Sequence, residues 1–442
     1  MREIQAEEIL QTMKGQVGEA EVFETETLAW PVSFTFGRLE SAKLVQTRGR
    51  ALRVIREGQL GFASSGDWSD AEGLTRAALE SVELGGPAPF HFPAPLAASP
   101  VQCFDPEVER VEVSQMIERG HTLINLLLSA DPHLQVDVSL QKSVQSVHLV
   151  NSTGLDMSYR RTSFSVSLEV RRTEEGDILS LYEQSASRRL AEVEGIALAE
   201  RILERLNWAK TIVSIPSGPM PLLCVPKSLI LLLLPLQSGL NGRAVFRHIS
   251  PLEGKEGQQV LDPRLTLVDD PCRDFAISSA PFDDEGLPTS PKALIERGQL
   301  KGFLYDLKTA GLAGRTATGN GFRPGYTAPP GIDSGNWRLA PGDEPISEVL
   351  KTLPAVLLVE EVIGLGQGNV EQGEFSNNVG LGFLLRHGEN AGRVKNTMIA
   401  GNAYQLLQER LLALDDRLEW VYGSLEAPAV LVDAVSVTSQ RQ

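Results

Sequence analysis

The segment from residue 276 to 308, AISSAPFDDEGLPTSPKALIERGQLKGFLYDLK, holds the densest group of side chains that could do chemistry. Three acids and a glycine, Asp283, Asp284, Glu285 and Gly286, fall within one turn. Adjacent carboxylates repel one another unless they are solvated, paired with cations or bound to a metal. The turn could therefore hold a metal or face a peptide. The plainer alternative is a solvated turn in which Asp283 or Asp284 accepts backbone N–H bonds.

A glycine-rich segment follows, with Asn320 between two glycines and with Arg323 and Tyr326 behind it. Glycines let another backbone approach closely, and arginine and tyrosine are common contact residues in interfaces. The segment could contact an extended peptide, or it could be an ordinary connection. Together with the acidic turn it gives six candidate peptide contacts: Asp283, Asp284, Glu285, Asn320, Arg323 and Tyr326.

Metal-binding motifs are not evident from the histidine and cysteine positions. No two of the six histidines stand within five residues of each other, and the three cysteines have no CxxC spacing. A hydrolytic zinc site needs about three N, O or S ligands and a nearby carboxylate base. The sparse cysteines also argue against a disulfide framework, so we expect a reduced, cytoplasmic protein.

Composition predicts a packed, soluble protein. The chain has 442 residues, of which 42% are hydrophobic and 22% charged, and its net charge is −16. It has no basic stripe of the kind that nucleic-acid binders carry, so direct nucleic-acid binding is not expected. Its longest apolar run, at residues 229–234, is far shorter than the roughly 20 residues of a membrane span, so no membrane association is expected.

Hydrophobic periodicity predicts an α+β protein: an N-terminal α+β domain, residues 1–212, followed by a mainly β C-terminal domain, residues 213–442. In the first domain the patterns indicate strands within 19–62 and 134–171. Helices are predicted near 4–14, 69–84, 111–130 and 186–209, and a proline-rich connector over 85–106. In the second, Gly298 is the predicted turn between a strand and a second strand over 300–307, and one helix fits 345–351.

Several blocks of the chain together resemble the TldD/PmbA family, whose members are described as modulators of DNA gyrase and as metallopeptidases. The likeness covers nearly the whole chain and rests on the order and spacing of these blocks rather than on any one of them. They are Arg50-Ala51-Leu52-Arg53-Val54, Asn151-Ser152-Thr153-Gly154, Asp284-Glu285-Gly286-Leu287-Pro288, Ile295-Glu296-Arg297-Gly298-Gln299-Leu300, Thr318-Gly319-Asn320-Gly321, Gly373-Glu374-Phe375-Ser376 and Ile399-Ala400-Gly401-Asn402.

The resemblance also implies which kind of subunit this is. TldD-like members carry a His-Glu-x-x-x-His motif and a late cysteine that hold zinc. Aligned on Gly239-Leu240-Asn241-Gly242, that motif falls on residues 233–238 of this chain. Leu233, Leu234 and Ser238 occupy the ligand and base positions, and Tyr422 occupies the position of the cysteine. Pro235 is expected to end or kink a helix there, and residues 229–236 are most simply core.

The resemblance therefore implies a PmbA (TldE)-like subunit with no cofactor of its own and with zinc in a TldD-like partner. The two would form a heterodimer that processes unfolded peptide, with the acidic turn, Asn320 and Arg323 facing a shared chamber. A homodimer is equally open. Two alternatives remain: an autonomous metallopeptidase with an unrecognised site, and a homodimeric regulatory or binding protein of the gyrase-modulator type.

Overall fold

The computed structural model describes residues 3–174 and 176–439. In the N-terminal half the regular elements are, in chain order, α1 (Ala6–Met13), β1 (Glu19–Thr35), β2 (Arg38–Ala42), β3 (Val45–Arg56), β4 (Gln59–Ser65), α2 (Ala71–Ser81), α3 (Pro106–Arg110), α4 (Val113–Ala130), β5 (Gln135–Asn151), β6 (Asp156–Glu174), β7 (Asp177–Ser187) and α5 (Gly195–Trp208).

Seven strands of this half form one antiparallel sheet in the order β4-β3-β1-β5-β6-β7, with β2 paired to β1. Alternating apolar residues explain its buried face: Phe164, Val166, Leu168 and Val170 of β6 are all at most 3% exposed. Helices α4 and α5 cover that face. The segment 89–105, within the predicted connector, contains no helix or strand.

The C-terminal half is rich in strands, and its helices are short. Its elements are β8 (Ile212–Val213), β9 (Gly218–Cys224), α6 (Ile230–Gly239), α7 (Gly242–Phe246), β10 (Leu267–Asp269), β11 (Lys292–Glu296), β12 (Gln299–Leu300), α8 (Leu307–Ala313), β13 (Gly321–Phe322), β14 (Gly331–Ile332), β15 (Trp337–Leu339), α9 (Ile346–Thr352), β16 (Val356–Ile363), β17 (Glu374–Arg386), β18 (Glu389–Val394), β19 (Thr397–Asn402), α10 (Ala403–Glu409), β20 (Leu411–Leu414), β21 (Glu419–Val421), β22 (Leu425–Ala427) and β23 (Val430–Ser439).

Its largest sheet has eight strands in the order β16-β9-β23-β19-β17-β18-β8, with β20 paired to β23. A further pairing of β16 with β17 closes five of these strands into a ring. A second, six-stranded sheet has the order β12-β11-β10-β15-β22-β21. The α+β fold class with a β-rich C-terminal region is confirmed.

One apolar cluster spans both halves. It joins Phe164 and Ile202 of the N-terminal half to Leu358, Phe383 and Leu431 of the C-terminal sheet. That two domains meet at residues 212 and 213 stays a prediction, because the apolar core continues across this point. No helix in the described ranges is long and apolar enough to cross a bilayer.

Two predicted elements differ from the structure. The helix predicted from 186 begins only at Gly195, because β7 extends to Ser187, which pairs with Phe164 of β6, and residues 190–192 form a separate 3-10 turn. The turn at Gly298 is correct, but the strand after it ends at Leu300. Asp306 then caps α8 by accepting a hydrogen bond from Thr309 N at 2.7 Å, so the later residues are helical.

Candidate functional site

The acidic turn lies inside the protein. Asp283 and Glu285 are 0% exposed and Asp284 is 9% exposed. The expectation that this turn is exposed to solvent is therefore wrong. Gly286 has a φ of +84°, and a side chain there would meet Leu155 of the N-terminal half. Only glycine fits such a left-handed, crowded position, so the turn is fixed by packing across the two halves.

Backbone N–H groups satisfy much of the negative charge of this turn. Asp283 accepts hydrogen bonds from the N–H groups of Glu285, Leu287 and Gly321 at 2.8–3.1 Å. Asp284 accepts one from Arg323 N at 2.7 Å. The expected backbone bonding of the aspartates is therefore confirmed. Burial, together with the neighbouring charge of Glu285, raises the pKa of Asp283 well above its usual value.

Two arginines hold the remaining carboxylates. Arg53 of β3 donates to Glu21 of β1 and to Glu285, each at 2.7 Å. Arg323 donates to Glu21 at 3.0 Å, and all four side chains are at most 2% exposed. Burial by itself lowers the pKa of Arg53, but the charges of Glu21 and Glu285 outweigh it and raise that pKa above its usual value. We call Glu21, Arg53, Glu285 and Arg323 the joint cluster.

The other two candidate contacts lie beside this cluster. Asn320 is fully buried and donates to Asp269 Oδ2 at 3.0 Å and to the carbonyl oxygen of Asp333 at 2.9 Å. Tyr326 is half-buried and packs on Gly49 of β3. All six candidates thus gather near the contact between the two halves. Their role in peptide contact stays a prediction, and the five buried ones would need this contact to open.

Helix α6 contains the residues that the resemblance aligns with the zinc motif of TldD-like members. It runs through Pro235 to Gly239, so the proline does not end the helix, and the expected alternative of a kink at Pro235 stays a prediction. Buried leucines on both sides, among them Leu233 and Leu236, hold the segment in place, and Tyr404 Oη donates to the carbonyl oxygen of Pro235 at 2.7 Å. The expectation that this segment is core is confirmed for these leucines.

A cleft runs along one face of α6. Two cavities of about 240 and 400 Å³ share Gln237, Asp333 and Ser334. A third of about 520 Å³ shares Asn241 and Ile332 with the second. The lining residues on the helix are three or four positions apart, so they lie on one face of the helix. We call this the α6 cleft; its α6 residues are Ile230, Leu233, Leu234, Gln237 and Ser238, and Asn241, which caps α7, follows them.

The donors present at the motif positions do not fit zinc. Leu233 and Leu234 offer no ligand atom, and Ser238 offers a neutral hydroxyl. Tyr422 lines a different cavity, with Trp420. Burial raises the pKa of Tyr422 to about 12, so its phenol stays protonated at neutral pH and cannot replace a thiolate. The arrangement can shape a cavity but cannot activate water on a metal at these positions.

One metal-capable trio does exist within residues 3–174 and 176–439. Glu7, His148 and Asp156 have ligand atoms within 4.8 Å of one another. His148 Nε2 already contacts Asp156 Oδ1 at 3.0 Å, and the two acids are exposed. This trio belongs to the N-terminal half and shares no residue with the α6 cleft. Residue spacing alone did not predict it, since Glu7 comes from α1.

Comparison with known proteins places the chain in a family. Family models match it in three segments: PmbA/TldA metallopeptidase domain 1 at residues 20–85, the central domain at 106–210 and the C-terminal domain at 217–439. The chain belongs to the PmbA/TldD family. Metalloprotease PmbA of Escherichia coli O157:H7 is 25% identical over 98% of this chain and 94% of its own length.

Other members of the PmbA/TldD family extend this comparison. An uncharacterised protein of Methanocaldococcus jannaschii is 26% identical over 94% of this chain and 97% of its own length. The structure of TldE from Thermococcus kodakarensis superposes with a TM-score of 0.90 over 98% of this chain and 99% of its own, at 22% identity. A proposed modulator of a DNA gyrase from Thermotoga maritima superposes with a TM-score of 0.88 at 25% identity, over 98% and 99% of the two chains.

Proposed function

We propose that this chain is a PmbA-like subunit that holds no catalytic zinc and completes the peptide chamber of a TldD-like zinc subunit. The observation that supports the proposal is the chemistry of α6: Leu233, Leu234 and Ser238, which the resemblance aligns with the ligand and base positions of the zinc motif, offer no imidazole or carboxylate. Leu233 is 3% exposed and packs in the apolar core. A leucine side chain that packs in the core supplies no ligand atom for a metal.

The extent of the alignments supports the PmbA-like assignment. The relative named PmbA aligns along nearly the whole chain. The TldD homologue of Haemophilus influenzae is 26% identical over 51% of this chain and 46% of its own length. Zinc is then expected in the partner, and the isolated chain is expected to cleave no peptide.

The α6 cleft is the surface that we assign to the chamber. It lies on the helix that bears metal ligands in zinc-holding members of the family. Its floor combines apolar side chains with polar groups such as Gln237 and Ser334, whose Nε2 and Oγ atoms are 3.4 Å apart. Such a mixture suits an extended peptide, since apolar side chains and backbone amides both find partners there. We also propose the cytoplasm as its compartment, in line with three unpaired cysteines.

The partner assignment is tested by mixing the purified chain with a TldD-like subunit and zinc. Size-exclusion chromatography with light scattering measures assembly, and cleavage of an unstructured reporter peptide measures activity. We expect a complex and a higher cleavage rate than with the TldD-like subunit alone. If no complex forms and the rate is unchanged, the proposal fails.

A substitution in the cleft separates chamber formation from mere assembly. Gln237→Trp places a bulky ring in the α6 cleft, whereas Gln408→Trp adds the same ring to the exposed face of α10. Both variants should assemble, and only Gln237→Trp should slow cleavage. Zinc bound to the isolated chain at about one ion per chain, with cleavage that EDTA abolishes, would favour the autonomous peptidase instead. A stable homodimer that ignores the TldD-like subunit would favour the regulatory protein.

A further inference from the structure

One end of the α6 cleft is positively charged, although the chain as a whole has a net charge of −16. The cavity of about 520 Å³ is lined by four cations, Arg53, Arg243, Arg247 and Lys308, and by two carboxylates, Glu285 and Asp306. A local excess of two positive charges in an acidic protein calls for a ligand or a partner of opposite sign.

The two carboxylates are already engaged within the protein. Glu285 accepts hydrogen bonds from Arg53 at 2.7 Å and from the N–H of Leu307 at 2.6 Å. Asp306 caps α8 through Thr309. They therefore do not neutralise the other three cations of the cavity.

The charged groups of Arg243, Arg247 and Lys308 make no hydrogen bond or ion pair with residues 3–174 and 176–439. The acid that follows soon after α7 in the sequence, Glu253, is taken by His248, whose Nδ1 lies 2.6 Å from its Oε1. Three cations of this cavity thus lack an ion pair, against the single carboxylate of Asp306.

Helix α7 and the residue that caps its C-terminus bring two of these cations to one face. Arg243 and Arg247 are four residues apart, and like charges at that spacing repel each other on a helix. Phe246, 41% exposed, lies beside them and lines the same cavity. A pair of repelling guanidiniums next to an exposed ring costs stability in the free protein, and an anion with an apolar neighbour would offset that cost.

We propose that this end of the α6 cleft binds a carboxylate of the peptide, held by Arg243, Arg247 and Lys308. Guanidinium groups bind carboxylates through paired, charge-assisted hydrogen bonds, and the ring of Phe246 suits the adjacent apolar side chain. The enclosed volume fits a peptide terminus or one acidic side chain rather than a nucleic-acid strand. The inference rests on the proposed function only for the choice of a peptide as carrier of the carboxylate.

The test uses the isolated chain and no partner. Fluorescence anisotropy measures the binding of a labelled peptide of glycine, serine and leucine with a free C-terminal carboxylate, of its C-terminal amide, and of the amide peptide with one internal glutamate. We expect at least one carboxylate peptide to bind about tenfold more tightly than the neutral amide. Preference for the first peptide identifies the α-carboxylate as the group bound, and tight binding of the third identifies an acidic side chain. Added salt should weaken the carboxylate peptides selectively.

Variants connect the preference to this cavity. Arg243→Gln combined with Arg247→Gln should abolish the preference, and Lys308→Gln should reduce it. Arg38→Gln, an exposed cation on β2, should leave it unchanged. The paired variant should melt no lower than the natural chain, since it relieves repulsion on α7.

Equal affinity for the carboxylate and amide peptides would overturn the inference, as would a double variant with unchanged preference. Binding of a single-stranded oligonucleotide in place of the peptide would overturn it as well. Failure of the chain to assemble with a TldD-like subunit would remove the proposed partner but leave this carboxylate preference intact, so the two failures are distinguishable.

Discussion

At the scale of single residues, the acidic turn that dominates the sequence serves first as a structural joint. Its carboxylates are buried, and Arg53 and Arg323 compensate them together with backbone N–H groups. Burying ions costs several kcal/mol each in desolvation, so such a cluster is stable only when every charge keeps its partner. We therefore expect the joint cluster to respond strongly to the removal of one member.

Arg53→Met is predicted to lower the free energy of unfolding by about 3–5 kcal/mol, because it leaves Glu21 and Glu285 buried without their cation. Arg48→Met on the same strand is the matched control. Arg48 is 40% exposed and pairs with Glu3 at the surface, so its loss should cost at most about 1 kcal/mol. Urea denaturation measures both, and equal effects would contradict the importance of the joint cluster.

His148 makes stability depend on pH. A hydrogen bond to Glu24, opposed by burial and supported by Asp156, raises its pKa to about 9, whereas an unfolded histidine titrates near 6.5. Because the folded pKa is the higher one, the stabilisation is fully present below about pH 6.5 and is lost as the pH rises through about 9. After allowance for solvent screening we expect about 1–2 kcal/mol.

The pH effect is checked by measuring the free energy of unfolding between pH 6 and pH 10 in the natural chain and in two variants. His148→Gln should remove most of the decline over that range. His133→Gln replaces an exposed histidine whose imidazole contacts no carboxylate among the described residues, and it should keep the decline. A His148→Gln profile that matches the natural chain would contradict the assignment.

At the scale of elements, α6 combines a core face with a cleft face. Leu233 is buried, whereas Leu234, the next residue, is only half-buried and lines the α6 cleft. The same helix therefore stabilises the C-terminal half and shapes the cavity. A helix whose leucines fill the core can tolerate an interior proline, since packing outweighs the missing hydrogen bond.

Leu233→Ala is predicted to lower the free energy of unfolding by about 2–5 kcal/mol, the usual cost of a buried leucine replaced by alanine. Leu234→Ala, one residue further on the same helix, should cost less than about 1.5 kcal/mol because its side chain is only partly removed from water. Chemical denaturation of the two variants compares them directly. A small loss in the free energy of unfolding for Leu233→Ala would mean that this position is not part of the core.

At the scale of the whole molecule, the two halves depend on each other. The apolar cluster that contains Phe164 and Phe383 crosses from one half to the other, and the joint cluster links them again with buried charge. Separating the halves would expose that apolar surface and would leave Glu285 without its cation, Arg53. Both effects favour unfolding as one unit.

We therefore predict a single cooperative unfolding transition for the chain. Calorimetry should give equal calorimetric and van 't Hoff enthalpies, and near-ultraviolet circular dichroism should report the same midpoint as tryptophan fluorescence. Two resolved transitions would show that the halves unfold independently. The Arg53→Met variant offers a further comparison, since weakening the joint cluster should lower the midpoint of the whole chain.

Local patterns of the sequence predicted much of the fold. The strand over residues 164–170 is predicted from the alternation of apolar and polar side chains along it, and the turn at Gly298 from the few residues around it. The boundaries of α4 and α9 follow from the same local logic. The start of α5 did not follow from it, because the pairing of β7 with β6 takes residues 186–187 and a 3-10 turn takes residues 190–192.

The sequence by itself also determined that Leu233, Leu234 and Ser238, the residues that the resemblance aligns with the zinc motif, carry no imidazole, thiolate or carboxylate. Only the tertiary structure decided what the acidic turn does. Its cation Arg53 lies 232 positions from Glu285, and Arg323 lies 302 positions from Glu21. Residue spacing along the chain cannot predict partners so far apart, because the packing of the two halves determines which side chains meet. The same packing sets Arg243, Arg247 and Lys308 around one cavity.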